Sequence, residues 1–171
     1  MVYIPDIVDY KPFYIQTDAD GQAIDTRQWG LVAKSNPFPI LPNPKEPFKN
    51  DWHDEDGDDE YVDSMRYASI EFDVQFYIKA YATETMSAEG VLRQQIEDFF
   101  SKIKNGDFAI YDSYTGIGRK KVRYASYSEE SFKRSLLSRG DWARVIFTIT
   151  FKANDPITRI VLNAEGKLVE A

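Results

Sequence analysis

The side chains best suited to chemistry lie in one acidic run, Asp51–Asp63 (DWHDEDGDDEYVD). Asp54, Asp56 and Asp58 flank a glycine with the spacing of carboxylate ligands in a calcium-binding loop. If that glycine is aligned with the turn glycine of such a loop, Trp52 falls at the first ligand position, and the flanking segments lack helical patterning. The sequence therefore predicts no metal site, and Asp54, Asp56 and Asp58 are only weak candidates for adventitious binding of a divalent cation. Because like charges repel when packed, the run favours a solvated or partner-facing loop, with Asp54, Glu55, Asp56, Asp58, Asp59 and Glu60 as its acidic residues.

Catalysis would need more than these carboxylates. A glycosidase fixes two carboxylates at a defined separation in a cleft, and a flexible acidic run gives no sign of this. His53 is the single histidine, so a two-histidine metal site is excluded, and a Ser-His-Asp scheme lacks a GxSxG elbow. Gly116-Ile117-Gly118 has neither a third glycine nor a following helix, so it is not a phosphate-binding loop. We expect a protein that is not an enzyme and has no cofactor.

The composition of the chain excludes several kinds of site and partner. The chain has 171 residues, no cysteine, and a net charge of −7 from 28 acidic and 21 basic residues. The absence of cysteine excludes disulfides and thiolate zinc sites, and the acidic balance disfavours specific nucleic-acid binding. No stretch approaches the roughly 20 apolar residues of a membrane span, and the amino terminus lacks the pattern of a signal peptide. The sequence predicts a soluble, cytoplasmic protein without a membrane partner.

The elements that must position these residues are mostly strands. Apolar and polar residues alternate over Ser69–Tyr81, which predicts a long strand with one buried face. Helical spacing over Ser87–Lys104 predicts one amphipathic helix, with Ser87 as its N-cap. Further strands are predicted at residues 107–112, 121–127 and 142–152, with a polar connection at 129–141. The predicted core consists of Phe72, Val74, Phe76, Phe99, Phe100, Val145, Phe147 and Ile149. The fold class is therefore mainly β with one α-helix, an α+β arrangement with antiparallel strands.

The chain is predicted to form a single domain. Prolines interrupt residues 1–50, which favours an extended amino-terminal arm that carries some strands. Residues 51–65 form the acidic loop, residues 66–156 the β-α-β core, and residues 157–171 a carboxy-terminal arm or hairpin.

The chain also contains a basic cluster, whose charge is opposite to that of the acidic loop. It consists of Arg119, Lys120, Lys121 and Arg123. It is too short for a nucleic-acid site on an acidic protein. Pairing with an acidic surface on a neighbouring copy is the simpler explanation, so these four residues and the acidic loop are predicted to be subunit contacts or lumen-facing charges.

Several segments together resemble tail proteins encoded by phages and prophages, especially those of Bacteroidetes-type bacteria. They are FPILPNPKEPFKNDW, IEDFFSKIKNGDFAIYD, IYDSYTGIGRKKVRYASY and ARVIFTITFKANDP, and the match covers about Trp29 to Pro156. Within that family the chain is similar to the distal-tail and tail-tube group. The resemblance implies a β-sandwich or split barrel flanked by a single helix, with extended arms and loops, in a virion structural protein. It also implies a homo-oligomeric ring, usually hexameric, that contacts adjacent tail proteins, assembles in the bacterial cytoplasm and becomes part of the virion tail. Distal tail proteins often have a second, carboxy-terminal domain, and the match to this chain ends at about Pro156. The resemblance therefore implies either the ring-forming domain alone or a different tail component.

A rival hypothesis from a different class is a carbohydrate- or ligand-binding β-sandwich. Trp52, Tyr61 and Tyr114 would then form a stacking platform, since aromatic side chains on loops suit such a role. No spacing among these residues supports the platform.

Overall fold

The computed structural model of the chain describes residues 11–34, 38–50, 59–61, 63, 65–135 and 141–171, with the backbone alone for residues 48, 50 and 59–61. The elements are β1 (Phe13–Gln16), β2 (Ile24–Asp25), a 3₁₀ turn (Thr26–Trp29), β3 (Leu31–Lys34), β4 (Phe48–Asn50), β5 (Asp59–Tyr61), β6 (Ile70–Tyr81), α1 (Ala88–Ile103), β7 (Phe108–Asp112), β8 (Ile117–Arg134), β9 (Trp142–Ala153), β10 (Ile160–Leu162) and β11 (Leu168–Glu170).

Nine of these strands form one antiparallel sheet. Its main path runs β2-β1-β7-β8-β9-β6-β3, and the β10–β11 hairpin joins it through the pairing of Ile160 with Gly118. β4 and β5 form a separate two-stranded ladder. The predicted fold class, mainly β with one α-helix, is confirmed for the described residues.

The centre of the sheet is the pairing of β6 with β9. The two strands pair without a bulge from Ile70 opposite Ala153 to Tyr81 opposite Trp142. In β6 every second residue is buried, as the alternation in the sequence predicts. The apolar residues on this face of both strands form the core on which α1 packs.

The sheet curls strongly. β1 and β6 are four strand spacings apart along the sheet, which in a flat sheet would separate them by roughly 19 Å. Yet the ring centroids of Phe13 and Phe76 lie 6.0 Å apart, in an edge-to-face arrangement. This curvature agrees with the split-barrel form rather than with two stacked sheets.

The helix begins where the sequence predicts. The hydroxyl of Ser87 accepts a hydrogen bond from the Gly90 amide at 3.3 Å and caps the first turn. Leu92, Phe99 and Ile103 are buried against the sheet. Phe100 differs from the prediction, because its side chain is 41% exposed and lies at the edge of the core.

β8 is much longer than predicted. It continues through the segment expected to be a polar connection and ends only at Arg134. Its alternation is broken by two register shifts, between Tyr124 and Ser126 and between Glu129 and Ser131. Bulges of this kind change which side chains face the core, so a search for strict alternation stops short of the true end of the strand.

The amino-terminal segment, predicted to be an extended arm that carries some strands, contributes β1, β2 and β3 to the main sheet. β1 lies between β2 and β7, and β3 pairs with β6. Phe13, Ile15 and Leu31 are almost completely buried, since they complete the core on the inner face of the curled sheet. At the other end of the chain, residues 160–170 form a hairpin attached to β8.

We expect Phe76→Ala to lower the free energy of unfolding by about 3–5 kcal/mol, since the ring is fully buried and its loss leaves a cavity. Its centroid lies 5.6 Å from that of Phe99 and 5.8 Å from that of Phe147. Urea unfolding of dilute protein measures the change. Phe100→Ala is the matched control and should lower the free energy of unfolding by roughly 1 kcal/mol. Equal losses in the two variants would contradict the proposed core.

Candidate assembly surface

The most unusual surface of the molecule is the open edge of β8. β7 pairs with the first part of this strand and stops at Phe108 opposite Val122. From Arg123 to Arg134, β8 pairs only with β9 among the described residues, so its other edge has no partner strand there. Such an edge presents a row of backbone N–H and C=O groups that can pair with another chain. We call residues 123–134 the open edge.

An apolar cleft of about 330 Å³ lies beside this edge, between α1 and the outer part of β8 and β9. It exists because the helix packs mainly on β6 and β9, while β7 pairs only with the first part of β8, so that no described strand lies beside β8 below this part of the helix. Phe100 lies at its border, with its ring centroid 5.3 Å from that of Tyr124. Tyr127 is 56% exposed and contacts Phe147 edge-on at 6.3 Å. Ile96 and Phe132 complete the apolar lining.

The opposite face of the same strands is polar and internally bonded. Glu130 accepts hydrogen bonds from Gln75 at 2.5 Å and from Thr148 at 2.6 Å, and so links β8, β9 and β6. Asp73 accepts a hydrogen bond from Thr150 at 2.6 Å. The open edge therefore has one apolar and one polar face. A strand added to it would need the same alternation.

The predicted basic cluster divides into two pairs. Arg119 is half-buried: its guanidinium lies 5.8 Å from the Phe38 ring centroid and donates to the Gly118 carbonyl, and burial lowers its pKa. Lys120 forms ion pairs within the chain, with Glu170 and, at 3.6 Å, with Asp155. These two residues therefore attach the carboxy-terminal segment to β8. Lys121, at a φ of 52°, and Arg123 are exposed, and no ion pair joins either to a described residue.

The acidic candidates are only partly covered by the structure. Asp54, Glu55, Asp56 and Asp58 lie outside the described residues, so their role as contact or lumen residues, and as weak metal ligands, stays a prediction. Asp59 and Glu60 belong to β5, which pairs with β4. In the described ranges no group of three or more acidic or histidine side chains could hold a metal ion.

The platform of the rival hypothesis also lies mostly outside the described part. Trp52 is not described, and for Tyr61 only the backbone is. Tyr114 is 63% exposed in the turn between β7 and β8. The platform stays a prediction.

The sequence pattern does not predict the cleft. Phe100 lies on the apolar face of the predicted helix and is therefore predicted to be a core residue. The sequence signal that could indicate the cleft is the amphipathic pair Tyr124 and Tyr127, in a chain whose helix has a broad apolar face.

An ion pair joins the open edge to the first turn of α1. Arg134 Nη1 lies 3.0 Å from Glu89 Oε2.

Comparison with known proteins gives a fold relationship. No family model and no curated protein matches the chain. The solved structure of the SPP1 Dit protein, described as a paradigm of the hub adsorption apparatus in phages that infect Gram-positive bacteria, is similar with a TM-score of 0.56 and 18% identity. The match covers 87% of this chain and 52% of that protein, so this chain spans about half of its length.

At this level of identity the likeness shows a shared fold. The Bacteroidetes-type group is not supported, because the description of the matched structure refers to phages that infect Gram-positive bacteria. Within the described ranges, no helix has the length and apolarity needed to cross a membrane.

The contacts of Asp155 generate a prediction about pH. Burial raises its pKa, but hydrogen bonds from Thr158 and Ile157, together with the nearby Lys120 ammonium, outweigh this effect and leave the pKa below its usual value. A carboxylate with a lowered pKa in the folded state stabilises the fold above its unfolded pKa of about 3.9, and this contribution is lost as the pH falls through the lower folded value.

Asp155→Asn should therefore lower the free energy of unfolding at pH 7, and the difference from wild type should shrink below about pH 4 as the wild-type carboxylate becomes protonated. Urea unfolding across this pH range measures it. Asp107→Asn, at an exposed position, is the control and should behave like wild type. A deficit of the Asp155→Asn variant that stayed constant down to pH 2 would refute the pKa argument.

Proposed function

We propose that this chain is a structural subunit of a phage-type tail, a distal-tail or tail-tube component that assembles with copies of itself into a ring of about six. Its partners would be those copies and the adjacent tail proteins. The role requires no catalysis and no cofactor. Assembly would take place in the bacterial cytoplasm and end in the virion tail.

One observation carries the proposal: the open edge of β8 lies beside an apolar cleft, in a fold similar to that of SPP1 Dit. A strand edge of twelve residues with which no described strand pairs is an aggregation hazard in a free monomer. Regular pairing with another copy removes that hazard. It also covers Phe100 and Tyr127, whose rings are substantially exposed in the single chain.

The cleft gives the contact an energetic basis. Aromatic side chains are enriched in the buried centres of interfaces, and truncation of one such residue often costs more than tenfold in affinity. A neighbour that covered the cleft would bury Phe100 and Tyr127 together with Ile96. These residues would form the apolar centre of the contact, and the charged residues around them would form its rim.

The overall charge suits a channel that passes DNA. A net charge of −7 would repel phosphates weakly rather than hold them. We therefore propose that DNA passes through the ring without specific binding to this chain.

Mass photometry tests self-association directly. Wild-type protein should show a species near six times the 19.8 kDa of one chain. Tyr127→Lys should weaken association by about tenfold or more, because it places a charge in the apolar contact. Tyr114→Lys is the matched control, an equally exposed tyrosine in a turn away from the cleft, and should associate like wild type.

A wild-type chain that stays monomeric at every concentration and salt level would contradict self-assembly. Loss of association in both tyrosine variants would show that the contact is not centred on the cleft.

A further inference from the structure

We propose that the cleft beside the open edge receives an apolar loop of a second copy, residues 39–42 (PILP), which we call the finger. This inference rests on the proposed self-association and deepens it by naming the segment that enters the cleft. The contact is made by side chains and needs no pairing between sheet edges.

The finger carries the two most exposed large apolar side chains of the described residues. Ile40 is 97% exposed and Leu41 is 77% exposed. Single apolar side chains are common on protein surfaces, but two neighbours on one loop form a patch of the kind that marks a contact site. Because Ile40 contacts almost nothing in its own chain, it does not fill its own cleft.

The finger is anchored where it begins. Phe38, the residue before it, is buried, and its ring centroid lies 4.8 Å from that of Phe72. The guanidinium of Arg119 lies 5.8 Å from the same ring. Pro39 and Pro42 bound the finger, and each fixes its own φ and restricts the residue before it.

The finger is also anchored where it ends. The Asn43 carbonyl accepts a hydrogen bond from the Ala68 amide at 2.9 Å, and the Lys45 amide donates one to the Arg66 carbonyl at 2.8 Å. A loop that is held at both ends loses little conformational freedom when it binds, so more of its contact energy appears as affinity.

The cleft has the size and the lining for this loop. A cavity of roughly 150 Å³ can hold a benzene molecule, and the cleft, at about 330 Å³, has room for two aliphatic side chains. Much of its lining is aromatic and consists of Phe100, Tyr124, Tyr127 and Phe132. Grooves lined by aromatic rings are the surfaces on which proline-rich segments dock.

The cleft also carries free negative charge. Glu97 and Glu129 line it and are exposed, and no ion pair joins either carboxylate to a described residue. Arg93 lines it as well, but its guanidinium already pairs with Glu89 at 3.0 Å. The two carboxylates are therefore available to a cation of a partner.

The base of the finger supplies that cation. Lys45 lies three residues beyond Pro42, and Arg66 lies beside it through the backbone hydrogen bond. Both side chains are exposed, and neither forms an ion pair with a described residue. Opposite charges at the rim of an apolar contact orient the partner and fix its register.

The finger and the cleft are at different ends of the β6–β9 ladder. Phe38 contacts Phe72, whereas Val145 in the cleft pairs with Ile78. Six residues of strand separate Phe72 from Ile78, which corresponds to roughly 20 Å. One copy can therefore present its finger and receive another at the same time, so the contact is heterologous.

An acidic substitution in the finger tests its role. Ile40→Asp should weaken self-association by about tenfold or more, because it places a carboxylate in an apolar cleft that already carries Glu97 and Glu129. Mass photometry over a concentration series measures the change. Ile157→Asp is the matched control, an isoleucine that is 55% exposed at another site, and should associate like wild type.

Cross-linking tests the pairing itself. The chain contains no cysteine, so single cysteines can be introduced without a background of native thiols. Leu41→Cys protein is mixed with Ile96→Cys protein that carries a mass tag, and the mixture is mildly oxidised. A non-reducing gel should show a disulfide-linked heterodimer, with a yield several-fold above that of Leu41→Cys mixed with tagged Tyr114→Cys.

Circular dichroism checks that each variant is folded. If Ile96→Cys is not folded, Glu97→Cys at the border of the cleft takes its place. Wild-type association that Ile40→Asp leaves unchanged would overturn the role of the finger and leave self-association standing. Weaker association of Ile40→Asp without the cross-link would overturn the pairing of finger and cleft. Wild-type protein that never associates would overturn the proposed function itself.

Discussion

The rest of the structure depends on the ladder between β6 and β9. These strands pair continuously from Ile70–Ala153 to Tyr81–Trp142, and their alternating side chains separate one apolar face from one polar face. α1 packs on the apolar face, and β3 and β8 extend the ladder on either side. The core is then closed by curvature, because Phe13 from the far end of the sheet reaches Phe76. Since every later element is placed relative to this ladder, a slip of one residue would exchange its two faces.

The ladder also explains why an apolar surface is left open at the edge of β8. A curled sheet with one helix has enough apolar surface to fill its centre, but α1 packs mainly on β6 and β9 and less on β8. Where the neighbouring strand β7 ends, the core is left partly uncovered at Phe100 and Tyr127. The same place offers apolar side chains and a row of backbone groups that no strand of the described part of the chain pairs with. This combination suits the addition of a strand from another chain better than it suits a small substrate.

The charges contribute in two different ways. Arg119 and Lys120 stabilise the chain itself, through Phe38 and through the carboxy-terminal residues Asp155 and Glu170. Arg123, which lies opposite Lys152 of β9, is instead exposed. A sequence cluster of four basic residues is therefore not one site. Residues adjacent in sequence point in different directions once they lie in a strand with a bulge.

The sequence by itself determined the elements whose pattern is local. The strand Ile70–Tyr81 and the helix Ala88–Ile103 were predictable because alternation, helical spacing and the Ser87 cap are short-range signals. Only the tertiary structure decided that β8 runs to Arg134, since its polar outer half is held by pairing with β9 and its bulges hide the alternation. Only the tertiary structure decided that Phe13 and Leu31 belong to the core, because their partners are distant in the chain. The cleft depends on where the pairing of β7 with β8 ends relative to α1. This arrangement of separate elements cannot be predicted from the pattern of any single segment.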